Sequence, residues 1–286
     1  MEALTDLDGM IAAYLLPYTG PTAKQYRSAL RAWLRWCDLN DIDPLRVGRS
    51  HIEAYGRWKT RQGQTVATVR DTVGAVCRFY GFLSEEGVLD RDPAAGVRLP
   101  HKYRHSPGGF LDVEQAAAFL AAARAAGVQV YALCALLLLA GPRISEVLNL
   151  DVGDWNDAAS TLRYWRKGRF EQEVRVAPAV AGALREHIGS HTHGPVFRSP
   201  LGKRMRGDTA RNIVHMVGAQ VGRPDLTPHS LRRTFCTLAV QAGVDERDIM
   251  AACGWSGREM VAYYDMARRG TTQQAGDMVA GLLGMG

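Results

Sequence analysis

This sequence predicts a mainly α-helical protein with one small β-sheet, arranged as an N-terminal helical bundle followed by a larger C-terminal unit. Three observations lead there. Apolar residues recur at spacings of three and four from residue 20 to residue 87. A stretch rich in proline, glycine and basic residues, 91–109, then interrupts the pattern. Beyond it helical spacing resumes, giving way once, in "TLRYWRKGRFEQEVRVAP", to the short alternation of a β-hairpin around a Lys-Gly turn.

The 286 residues, 47% of them apolar, are too apolar for disorder and can bury an adequate core in one large domain or two ordinary ones. A formal net charge of +6 suits a polyanionic partner without identifying one. Cys37, Cys77, Cys134, Cys236 and Cys253 are far apart and form no C-x-x-C pair, so they read as reduced core residues. The opening "MEALTDLDG" lacks the basic start and apolar centre of a signal peptide. The longest apolar run, "VYALCALLLLAG", falls short of the roughly 20 residues needed to cross a bilayer. The expectation is a cytoplasmic protein without a membrane partner.

Within residues 1–90, "GPTAKQYRSALRAWLRWCDLN" sets Tyr26, Leu30, Trp33, Leu34 and Cys37 on one helix face. Lys24, Arg27, Arg31 and Arg35 form a cationic stripe beside them. "SHIE", Ser50 to Glu53, has capping-box spacing and should open a helix carrying Arg57, Lys59 and Arg61. The next helix should bury Val66, Val69, Val73, Cys77 and Tyr80, expose Arg70 and Arg78, and end at Gly87. Residues 91–109, which include Lys102, read as a basic linker. That composition suits a connection along a phosphate backbone, and a merely solubilised linker shares it.

The unit from residue 110 to 286 begins with a helix that Asp112 can cap and Gly127 can terminate, then an apolar helix through Leu139. After "GPRISEV" and the hairpin, helices are expected over 180–187, 208–221, 228–242 and 246–253. There is no internal repeat.

The stretch "LTPHSLRRTF" is chemically unusual. Thr227 and Pro228 read as an N-cap with proline in the first helical position, yet His229, Arg232 and Arg233 follow at once. Cations are disfavoured at a helix N-terminus unless the ligand is an anion. His229 and Arg232, three apart, project from the same side, as a receptor for a phosphate would require. "GPRISEV" repeats the logic with Arg143, and Glu146, one turn along, is placed to orient an arginine. Taken singly, each arginine reads more readily as an ion-pair member than as a catalyst, Lys167 as a turn lysine, and Trp255 as a core aromatic. "HTHG", His191 to Gly194, reads as a loop, because no cysteine or carboxylate nearby completes a zinc set.

In chain order, Arg143 in "GPRISEVLNL", Lys167 in "RKGR", His229 and Arg232 in "HSLRRT", Trp255 in "CGWSG" and Tyr264 in "MVAYYDM" form a set. That order resembles the tyrosine recombinase, or phage integrase, family, and the nine-residue interval from Trp255 to Tyr264 is the family's usual one. Most members carry histidine where Trp255 stands, though tryptophan also occurs. The resemblance covers nearly the whole chain. It implies a core-binding domain at 1–90, a linker, and a catalytic domain, closing as a C-shaped clamp on DNA.

It implies a transesterification as well. Tyr264 attacks the scissile phosphate to give a 3′-phosphotyrosine and a free 5′-hydroxyl, and a 5′-hydroxyl of the partner duplex reverses the step. His229 is the implied base, Lys167 the acid for the departing oxygen, and Trp255 a donor to a phosphate oxygen. Because bond energy is retained in the phosphotyrosine, neither ATP, metal nor other cofactor is called for, and no Walker-type sequence is present. Tyr263 is the local rival, since only the interval selects its neighbour. Lys24, Arg27, Arg31, Arg35, Arg70, Lys102 and Arg233 are the expected DNA contacts, with Arg233 on the surface or at the backbone.

The implied partners are double-stranded DNA at recombination core sites and further copies of the chain in a synaptic tetramer. The tail, about 271–286, would dock in trans, with folding back in cis as the alternative. A directionality factor or host DNA-bending protein would be the accessory partner. The chain starts almost directly in the core-binding helices, leaving no room for an arm-site domain. Integration or excision of a phage or mobile element is the first reading, and a Xer-type chromosome or plasmid dimer resolvase the second. A DNA-binding protein that has lost catalysis and a monomeric type IB topoisomerase are the rivals from other classes.

Overall fold

A computed structural model of the chain describes residues 6–100, 109–166 and 170–255. It divides into two compact units, Met1–His105 and Ser106–Gly286. In the first, α1 (Leu7–Leu15), α2 (Gly20–Asp38), α3 (Arg49–Arg61) and α4 (Val66–Glu85) pack around an aromatic core. The periodicity reading missed α1, which the Asp6 side chain caps by accepting the Gly9 N–H.

From α2, Leu30, Trp33 and Cys37 are fully buried, while Tyr26 and Leu34 pack at the edge of the core. The Trp33 indole N–H donates to the Tyr80 hydroxyl at 2.8 Å, and that hydroxyl donates to the Pro44 carbonyl at 2.9 Å. The two large rings thus bury their area without stranding a donor, and they tie α2 to α4 and to the α2–α3 loop.

Several local expectations change. The helix expected to open at Ser50 starts at Arg49, with Gly48 as its N-cap. The His51 ring, not a serine, closes the cap, its Nδ1 accepting the Gly48 N–H at 3.0 Å. Val66 is exposed because it stands in the first turn of α4, before the helix meets its neighbours. Arg70 is half-buried rather than exposed, and its Nη1 donates to the Pro100 carbonyl at 2.7 Å. The stretch read as linker is in part bundle, since Ala94 is buried and Val97 and Leu99 pack on the same core.

The second unit holds α5 (Val113–Ala125), α6 (Val128–Leu139), α7 (Ile144–Leu148), a 3-10 turn at Val152–Asp154, β1 (Trp155–Asn156), β2 (Thr161–Trp165) and β3 (Glu171–Arg175). α8 (Pro178–Ile188), α9 (Gly207–Gln220), α10 (Pro228–Gln241) and α11 (Glu246–Cys253) follow. α6 is the hub. Ala132 to Leu138 are buried on every side of it, against α5, α8 and α10, as a helix apolar all round requires.

The hairpin is present, antiparallel, with Leu162 opposite Val174 and Trp165 opposite Glu171. A short third strand, β1, pairs with β2 and was not foreseen. At two residues it is too short to show alternation. Among the described residues no helix is long and apolar enough to cross a membrane.

Candidate active site

The start of α10 forms as its sequence demands. Thr227 Oγ1 accepts the Ser230 N–H at 3.2 Å and Ser230 Oγ accepts the Thr227 N–H at 3.3 Å, with Pro228 in the first turn. The helix is enclosed along most of its length, so Arg232 is 4% exposed. Arg233, expected on the surface or at the DNA backbone, is also buried, at 7%, for the same reason. His229 remains exposed at the open end.

Arg232 reaches across the unit. Its Nη1 donates to the Gly141 carbonyl at 2.8 Å and its Nη2 to the Cys253 carbonyl at 2.8 Å. Its guanidinium carbon lies 5.1 Å from the centre of the Trp255 ring. Gly141 permits this approach, because it sits at φ 63° with Phe235 against it, and a Cβ there would come within 2.3 Å of that ring.

Arg143 is the N-cap of α7 and meets the same place. Its Nη1 donates to Glu146 Oε1 at 2.8 Å, and its backbone N–H to Glu146 Oε2 at 2.8 Å. Its Nη2 lies 3.4 Å from the Gly254 carbonyl. Glu146 therefore orients an arginine, as its spacing suggested.

What gathers these cations is the end of α11. The last carbonyls of a helix have no partner within it and carry the negative end of its dipole. Here Ala252 accepts from Arg166 at 2.9 Å, Cys253 from Arg232 and Gly254 from Arg143, while Ala251 accepts from Gln172 Nε2 at 3.0 Å. Gly254 takes the left-handed conformation, φ 61° and ψ 50°, that turns the chain away. A Cβ there would meet Arg166 Nε at 2.8 Å, so both backbone and space require glycine.

Donor accounting separates binders from anchors. A guanidinium has five N–H donors. Among the described residues Arg232 and Arg143 each commit two through their side chains. The Arg143 side chain is 36% exposed and so open to a ligand. Burial, together with the neighbouring Arg143 charge, holds the Arg232 pKa below the usual arginine value. Two cations crowded in this way favour an anion between them.

His229 is perturbed in the same sense. Although its ring reaches solvent, desolvation by the protein around it first, then the Arg233 and Arg232 charges, lower its pKa below 6.5. In the DNA-free protein its NMR titration midpoint is therefore expected below 6.5, and a midpoint at or above that value would contradict this electrostatic picture. Because folding disfavours the protonated ring, its contribution to stability is level above the unfolded midpoint of about 6.5 and declines as pH falls below it.

Arg143, His229, Arg232 and Trp255 are thus brought to one region, with His229 one turn before Arg232. Lys167, Tyr263, Tyr264, Lys102 and the 271–286 tail lie outside the described residues. In the first unit, Lys24, Arg27, Arg31 and Arg35 are all exposed and line one groove of about 450 Å³ with Ser28 and Ala32. Among the described residues none of those four has an ion-pair partner.

Sequence reasoning missed Arg166 and Gln172. The signal was strand parity: Leu162 and Tyr164 point inward, and Arg166 continues their phase although it was read as part of a hydrophilic turn.

The sequence model of the phage integrase family matches residues 109–269. Tyrosine recombinase XerC of Rhodospirillum centenum is 30% identical over 256 residues, covering 82% of this chain and 73% of that protein. Among solved structures, the Tn1549 transposon integrase in complex with circular intermediate DNA superposes with a TM-score of 0.74 at 17% identity, over 89% of this chain and 93% of that one. A lambda integrase tetramer bound to a Holliday junction does so with a TM-score of 0.74 at 16% identity, over 92% and 78%. With that family model matching more than half its length and a tyrosine recombinase 30% identical over 82% of it, the chain belongs to the phage integrase family of tyrosine recombinases.

Proposed function

We propose that the protein is a site-specific DNA recombinase that cuts and rejoins duplex DNA through a 3′-phosphotyrosine. The observation that carries the reading is the convergence of Arg143 and Arg232 beside His229 and Trp255. Two guanidiniums can hold both non-bridging oxygens of a phosphodiester and stabilise charge as it grows in the pentacoordinate transition state. His229, kept neutral at pH 7 by its surroundings, can take the phenolic proton. Tyr264 is the nucleophile, Lys167 protonates the departing 5′-oxygen, and Trp255 offers its indole N–H to the phosphate.

Residues 1–90 act as the core-binding unit and 110–286 as the catalytic unit. Lys24, Arg27, Arg31 and Arg35 supply phosphate contacts, and Arg70 and Lys102 add to the basic path. The reaction takes place in the cytoplasm within a tetramer of this chain on two DNA sites, and an accessory DNA-bending or directionality protein sets its direction. Integration or excision of a mobile element is the main use. Dimer resolution is the second reading, favoured by the Xer name of the relative at 30% identity.

The test is a nicked duplex carrying the element's attachment core, which traps the cleaved state by losing the 5′-hydroxyl fragment. A covalent protein–DNA adduct without added ATP or metal is expected, and its absence on every core tested would reject catalysis in favour of DNA binding alone. Paired attachment sites that recombine, against a chromosomal dimer site that does not, separate the main use from the second. Relaxation of supercoils without any core sequence would instead favour a topoisomerase.

A further inference from the structure

Arg166 has no part in the reaction as proposed, yet its surroundings are built around it. Its side chain is 1% exposed, and Nε donates to Gln172 Oε1 at 3.0 Å, Nη1 to Glu146 Oε2 at 2.6 Å and Nη2 to the Ala252 carbonyl at 2.9 Å. The guanidinium also lies over the Tyr164 ring, 4.8 Å from its centre. A cation so enclosed and so committed does not hold DNA.

Its important contact is Glu146, whose side chain is 3% exposed. One oxygen of this carboxylate takes Arg143 Nη1, and the other takes both Arg166 Nη1 and the Arg143 backbone N–H. A single negative charge therefore sits between two guanidiniums, and the trio keeps a net charge of +1. Without Arg166, Glu146 would face Arg143 alone and cancel it, at the place where a phosphate has to be gripped. The low polarity of a buried site makes that cancellation severe.

We infer that Arg166 is a positioning residue for Arg143. It occupies and neutralises Glu146, so that the Arg143 charge and its remaining donors stay available to the scissile phosphate. The same guanidinium seats the end of α11, whose following carbonyls hold Arg232 and Arg143. This inference rests on the proposed role of Arg143 at the phosphate.

The test measures single-turnover cleavage of two nicked duplexes by the full chain. One has an ordinary scissile phosphodiester, and the other a methylphosphonate, in which a methyl group replaces one non-bridging oxygen and removes the negative charge. Arg166→Met is expected to slow phosphodiester cleavage about 100-fold. Methylphosphonate cleavage should be left close to that of the wild type, since it needs no Arg143 charge. Adding Glu146→Gln to Arg166→Met should recover about tenfold on the phosphodiester, because the charge that cancels Arg143 is gone. Arg166→Lys, which keeps the charge and tests the case where Arg166→Met does not fold, should lose less.

Equal losses on both substrates, or no recovery in the double variant, would overturn the inference and leave Arg166 a packing residue. Arg143→Ala is the control for the parent reading. If that variant cleaves the phosphodiester as well as the wild type does, the assignment of Arg143 fails, and that result is distinct from any obtained with Arg166.

Discussion

Tyr264→Phe is expected to abolish the covalent protein–DNA adduct on a nicked core-site duplex, while Tyr263→Phe retains it and both variants bind the duplex as the wild type does. The substitution removes one oxygen. That oxygen is the proposed nucleophile, so the loss should reach at least the order of 10⁴-fold that follows removal of a nucleophile. DNA affinity should not follow, because it is a sum of many phosphate contacts that no single neutral side chain dominates.

The nine-residue interval from Trp255 is what selects Tyr264 over Tyr263 as the proposed nucleophile. An unperturbed phenol has a pKa of about 10, and at neutral pH it attacks only with help. In the proposed mechanism that help comes from Arg143, Arg232 and His229, whose pKa its surroundings lower. The adduct is read directly on a denaturing gel. Loss confined to Tyr263→Phe would show that the nine-residue interval from Trp255 selects the wrong tyrosine.

How much of this was legible in the sequence depended on how local each determinant was. The start of α10 follows from Thr227 and Pro228, because caps are decided within a few residues. The hairpin and α6 followed from patterns of period two and of unbroken apolarity. The cap of α3 misled, since His51 can accept a backbone N–H as well as a serine can.

The site itself was legible only as an ordered set of residues. Its geometry is made by bonds between distant segments, such as Arg232 to the carbonyl of Gly141, 91 residues away, and Arg166 to that of Ala252, 86 away. No spacing rule reports a backbone carbonyl as a partner. The function of the α11 terminus as an anchor for three guanidiniums therefore had to come from the structure, and so did the burial of Arg233.

Arg232→Lys is expected to lower single-turnover cleavage by about 10²–10³-fold with little change in DNA affinity, and Arg232→Met to lower it further. The argument is geometric before it is electrostatic. Arg232 spans the Gly141 and Cys253 carbonyls with two nitrogens of one planar fork, and in the proposed mechanism its remaining donors meet the phosphate. A lysine ammonium carries the same charge on one atom, so it can satisfy one carbonyl or the phosphate but not all three together.

Stability should fall as well. A buried carbonyl left without a partner costs about 1–3 kcal/mol, and Arg232→Met leaves two. Arg232→Lys leaves at least one, so its midpoint of thermal unfolding should drop less. If the chemical effect were only a consequence of this loosening, cleavage in the two variants would track their thermal midpoints and recover on cooling. If the guanidinium acts on the transition state, Arg232→Lys stays impaired at temperatures where it is fully folded. Cleavage by Arg232→Lys at near wild-type rate would mean that charge alone suffices at this position, and the two-arginine grip on the phosphate would have to be abandoned.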